Sequence, residues 1–187
     1  MQLEQNYKKE LYEVYLAVFK MRDEPHQRRV LIMTNLMGGK FWSWRVVGIT
    51  RKALERIAEH GFKYKAGSSI HRSHIISRKD MYISMLERCE PMQIDEWWNY
   101  FWENDRTIIA TGTENNAKAP MSECYEIDPE MGLFQCNPVA GFKLTQKKEG
   151  VFLRELYEKK NWLAYHSGQL NDYPHSEINN ALPPRIT

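Results

Sequence analysis

Cysteine is scarce: Cys89, Cys124 and Cys136 are the only three in 187 residues. An odd number at unrelated spacings supplies neither a Cys-x-x-Cys zinc knuckle nor a disulfide framework, which points to a reducing cytoplasm. No apolar run approaches the ~20 residues that span a bilayer, and the first residues lack the apolar core of a signal peptide. A cytoplasmic protein with no membrane partner is expected. An excess of one charge is missing too. The 26 Lys and Arg against 24 Asp and Glu leave a net +2, so charge alone does not announce a nucleic-acid binder. Gly38 and Gly39 are not followed by Lys-Ser/Thr at a strand-to-helix junction, which argues against a phosphate loop. Internal repeats and low-complexity blocks are absent as well.

With 42% hydrophobic and 27% charged residues, the chain has the composition of a globular protein able to bury an ordinary core. One domain over 1–187 is expected. Six tryptophans and ten tyrosines make it aromatic-rich. Trp97, Trp98 and Trp102 fall at helical spacing, which favours a packing face over base stacking. Basic residues recur through the first half, among them Arg28, Arg29, Arg51, Lys52, Arg72, Arg78 and Lys79.

Leu3, Tyr7, Leu11, Val14, Tyr15 and Phe19 recur largely at three- and four-residue intervals, predicting an amphipathic helix over 2–21 that Pro25 ends. The apolar run 29–35 reads as a strand, Gly38 and Gly39 as its turn, and 40–49 as a partner strand of a β-hairpin. Thr50 is placed to cap a helix over 51–60 that Gly61 closes. Residues 62–76 turn β-like again. Helical pieces follow at 79–88 and 94–102, with Pro91 between them, and 106–111 is a second short strand. The stretch 117–137 looks irregular. Thr145 is placed to cap a final helix to about residue 160, and the tail from 167 reads as extended or poorly ordered.

The segment 68–118 is the most informative. It opens Ser-Ser-Ile-His-Arg-Ser-His-Ile-Ile-Ser-Arg and ends Glu-Asn-Asp-Arg-Thr-Ile-Ile-Ala-Thr-Gly-Thr-Glu-Asn-Asn-Ala-Lys. A His in a β-type run, an Asn/Asp turn, a second β-type run and an Asn pair occur in that order. This resembles the HNH nucleases, whose ββα-metal finger sets an imidazole and a divalent cation against a phosphodiester. The resemblance covers about 50 residues, and the finger with a helical insert is expected over 62–119. Residues 1–61 and 120–187 would flank the finger as an N-terminal helix, hairpin and helix and as a C-terminal extension.

The resemblance implies an α+β fold built on that finger, and it implies roles for particular residues. His74 aligns with the general base, an imidazole suited to activating water. Asn104 corresponds to the residue that pins the loop, with Asp105 the competing choice. Asn115 or Asn116 would bind Mg²⁺ or Mn²⁺. Many members place an acidic residue or His directly before the base. Ser73 stands there in this chain, so His71 is the nearest second ligand, with Asp80 and Glu114 as alternatives. Arg72, Arg78, Lys79 and Lys118 would contact phosphates. The function implied is a metal-dependent DNA endonuclease of restriction or phage type, cutting double-stranded DNA as a possible homodimer. The alternatives are a catalytically inactive nucleic-acid-binding or regulatory module, and an RNase using the same finger.

Overall fold

A computed structural model describes residues 5–38, 42–63, 65–116, 123–134, 142–144 and 146–167, the last seven as backbone. Lys118, Cys136, Thr145 and the tail beyond 167 lie outside the described residues. The fold is mixed α+β, with seven helices and a four-stranded sheet among the described residues.

The first helix, α1 (Gln5–Lys20), buries Leu11, Tyr15, Val18 and Phe19, a single stripe at helical spacing. The next element overturns an expectation. Residues 29–35 belong to α2 (His26–Gly38), not to a strand, and no hairpin joins them to 40–49. A short unbroken apolar run cannot be assigned by periodicity, because a strand and a buried helix both tolerate it. Pro25 decides the matter at the start of the helix: its carbonyl accepts from the amides of Arg28 and Arg29. Arg29, Met33 and Met37 then recur every four residues on the buried side, while Leu31 and Ile32 face out. The partner strand shrinks accordingly to β1 (Arg45–Thr50).

Thr50 caps α3 (Arg51–Ala58), its hydroxyl accepting from the amide of Ala53. Gly61, at φ +63°, turns the chain after it. Strand β2 (Ile70–His74) leads into α4 (Arg78–Leu86), whose N-cap is Ser77, and then into α5 (Ile94–Asn104). Strand β3 (Arg106–Thr111), a one-turn helix α6 (Gly112–Asn116), β4 (Cys124–Glu126) and α7 (Lys147–Ser167) are the remaining strands and α-helices among the described residues.

The strand order is β2-β3-β1-β4. β2 and β3 are antiparallel, with Ile70 opposite Thr111 and His74 opposite Thr107. β1 runs parallel to β3 and antiparallel to β4. Two apolar cores result. One gathers α1, α2, α4 and α5 around Tyr15, Met33, Tyr82, Trp97 and Phe101. The other packs the sheet against α3 and α7 through Val46, Ile49, Leu54, Ile109 and Leu153. Residues 42–44, Arg78 and Asp105 lie where the helical part meets the sheet. No helix among the described residues is long and apolar enough to cross a membrane.

Candidate functional site

Trp44 precedes β1 with φ +59°, a left-handed conformation that costs a non-glycine residue about 1–3 kcal/mol. Such a conformation persists only where the surroundings impose it, and two side chains do so here. The Trp44 amide donates to Asp105 Oδ2 at 2.8 Å, and its carbonyl accepts from Thr107 Oγ1 at 3.1 Å. Asp105 directly precedes β3 and Thr107 lies within it, so the strain is tied to the β1–β3 pairing.

The Trp44 ring then becomes a platform. The His74 ring lies 4.3 Å from it between centroids, tilted by 59°. The guanidinium carbons of Arg78 and Arg72 stand 4.4 and 5.0 Å from the ring centre, at cation–π distance. Arg72 and His74 alternate along β2 and so share one face of the strand.

Asp105 is the anionic centre of this cluster and is 1% exposed. Arg78 donates to its Oδ1 from both Nε and Nη2 at 3.1 Å, and from Nη2 to Oδ2 at 3.3 Å. His74 Nε2 lies 3.6 Å from Oδ1, just beyond hydrogen-bond range, and is buried without a partner. Burial on its own would raise the Asp105 pKa. The proximity of His74, the Arg78 charge and the Trp44 amide outweigh it and hold the carboxyl below its ordinary value. The neighbouring Tyr82 hydroxyl is buried without a partner, and burial pushes its pKa far upward, so it remains neutral. Chemically, a fixed carboxylate beside Nε2 favours the imidazole tautomer with its proton there. Nδ1 is then the nitrogen that accepts a proton.

The other residues picked out from the sequence are distributed differently. Asn104 closes α5, and its Nδ2 donates to the Tyr100 carbonyl at 2.7 Å, within the same helix. The residue that ties the loops together is its neighbour Asp105. Arg72 and Arg78 are buried against Trp44, Lys79 is exposed on α4, and Ser73 is buried in the sheet opposite Ile108.

Asn115 and Asn116 are exposed on α6, which follows Thr111 at the far end of the β2–β3 pair from His74. Four residues of strand separate the two ends, about 13 Å at the usual rise. His71 lies nearer α6: a Cβ at Gly112 would fall 3.2 Å from His71 Nε2. Glu114 closes a capping box with Thr111, accepting from the Thr111 amide at 3.0 Å while its own amide donates to Thr111 Oγ1 at 3.3 Å. It also accepts from Thr50 Oγ1 at 2.8 Å. The Thr-x-x-Glu spacing is a signature of this cap in the sequence itself. A divalent cation therefore does not fit a site shared by His74 and the Asn pair. Among the described residues, no group of three or more His, Cys, Asp or Glu is placed to hold one.

Two functional candidates went unremarked along the chain, Trp44 and the Arg45 stacked on Trp102 at 3.7 Å, while Asp105 stood only as the alternative to Asn104. The Trp-Ser-Trp-Arg run at 42–45 was the available signal. No protein-family model, curated protein or solved structure matches this chain.

Proposed function

We propose that the protein is a nuclease that hydrolyses phosphodiester bonds, with His74 as the general base. The single observation that carries this reading is the His74–Asp105 pair: an imidazole held 3.6 Å from a carboxylate that Arg78 and the Trp44 amide fix in place. Asp105 orients the ring and stabilises the imidazolium formed when Nδ1 takes a proton from water. Positioned proton transfer of this kind contributes about 10²–10⁴ in rate. Arg72 and Arg78 lie against the Trp44 ring that His74 also contacts, with the Arg78 charge paired to Asp105. Double-stranded DNA is the substrate that the HNH resemblance favours, with RNA as the alternative. A homodimer cutting both strands belongs to the same proposal, as does the Mg²⁺ or Mn²⁺ of that family, whose ligands would have to be other than the Asn115–Asn116 pair. No step is routed here through a metal, since Asn115 and Asn116 do not converge with His74.

Purified protein incubated with supercoiled plasmid and with single-stranded RNA, in Mg²⁺, Mn²⁺ or EDTA, tests the reading. Cutting should fall at least ~100-fold in His74→Ala and substantially in Asp105→Asn. A folded His74→Ala that cuts at the wild-type rate would remove His74 from the chemistry.

A second reading, a nucleic-acid-binding module without cleavage, is favoured by one observation. The expected metal ligands Asn115 and Asn116 follow the end of the β2–β3 pair opposite His74. Retarded migration of DNA or RNA by protein that cuts neither would establish that reading instead.

A further inference from the structure

Behind the Trp44 ring lies a cavity of about 190 Å³, partly open to solvent. Trp42, Trp44, Arg45, Trp102, Glu130 and Phe134 supply its aromatic and charged walls. An apolar cavity near 150 Å³ accepts one benzene ring. This space therefore suits a single flat ring system with one edge left in the opening, and it is small for a drug-sized ligand, which takes roughly 300–1,000 Å³.

Three features give the cavity a chemical preference. Its walls are aromatic from several directions, and the Arg45 guanidinium is stacked on Trp102, so flat π-faces and a flat cation are already presented. Arg45 donates no side-chain hydrogen bond to any described residue, and burial holds its pKa below the ordinary value. The Arg45 guanidinium thus offers donors from the lining of the cavity, and Glu130, an exposed residue that also belongs to the lining, offers a carboxylate as acceptor.

We propose that this cavity binds a single nucleobase, with guanine preferred. A base stacks on tryptophan and arginine planes, and its edges are read by hydrogen bonds. Guanine presents O6 and N7 as a pair of acceptors that match an arginine fork. Its N1–H and N2–H₂ donors suit a carboxylate. Cytosine and uracil offer less stacking area and no such pair of acceptors. The inference deepens the nuclease reading and rests on it for the identity of the ligand. Trp44 would be the wall shared by the base pocket and the His74 platform, placing a bound base next to the reacting phosphate.

Tryptophan fluorescence titrated with GMP, AMP, CMP and UMP tests it, because three tryptophans line the space. Saturable quenching by GMP is expected, with weaker binding of AMP and weaker still of the pyrimidines. Trp102→Ala should weaken GMP about ten-fold or more through lost stacking. Glu130→Gln, at an exposed position, should weaken GMP and leave AMP unchanged. No saturable quenching by any of the four overturns the proposal, as does equal quenching by all four or GMP binding indifferent to Glu130→Gln. The two readings fail separately. GMP binding by a protein that cuts nothing ends the nuclease reading and keeps the pocket. Cutting without GMP binding keeps the nuclease and ends the pocket.

Discussion

Asp105 shows how much a single side chain ties together in this molecule. Removing a partner from a buried ion pair strands the other charge, at a cost of about 3–5 kcal/mol. Asp105→Ala should lose about that much in urea denaturation, and Arg78→Met should lose a comparable amount. The pair also sets a pH dependence. The folded Asp105 pKa lies below the ordinary value. Its contribution is therefore complete above the unfolded pKa of about 4 and disappears as pH falls through the folded pKa. The gap between the urea midpoints of wild type and Asp105→Asn should narrow as the pH is lowered from 7 to 3. Parallel curves would show that the carboxylate is not stabilised by its neighbours. Sequence reading came within one residue of this hub, weighing Asp105 against Asn104. What it could not supply was the partner: the Trp44 amide is 61 positions away.

The elements differ in how plainly they announce themselves. β3 was legible residue for residue, since Arg-Thr-Ile-Ile-Ala-Thr is rich in β-branched residues and bounded by an Asn-Asp turn and a Gly. The Thr50 cap was legible too, because a hydroxyl ahead of a helical run has a local job. α2 was not, because its exposed Leu31 and Ile32 fill the gaps that a helical pattern would leave polar. The two assignments predict different mutational patterns. A strand would bury Leu31 and Met33 on one face, whereas the helix buries Met33 and exposes Leu31. Met33→Ala should cost about 2–5 kcal/mol, and Leu31→Gln should stay within about 0.5 kcal/mol. Equal losses in urea denaturation would favour the strand. α7 offers a second check on packing. Gly150 lies so close to α3's exit that an added Cβ would sit 2.8 Å from the Phe62 carbonyl. Gly150→Ala should therefore lower the melting temperature, although alanine by itself favours a helix by about 1 kcal/mol.

At the scale of the whole molecule, Trp42 belongs to the helical core and Val46 to the sheet core, and the candidate site lies around Trp44 on the chain between them. The α+β class and most of the helices follow from local patterns in the sequence. The two-core arrangement, the β2-β3-β1-β4 order and the separation of His74 from the Asn pair arise from long-range pairing, to which no local motif is sensitive. The HNH resemblance rests on residue order along the chain. The structure keeps that order but distributes the residues over the two ends of one strand pair. Single-turnover cleavage of a labelled nucleic acid by wild type, His74→Ala and the double variant Asn115→Ala/Asn116→Ala tests this account most directly. It predicts a loss of at least ~100-fold for His74→Ala and a rate within a few-fold of wild type for the double variant. Abolition by the double variant with His74→Ala still active, or no cleavage by wild type in either metal, would contradict it.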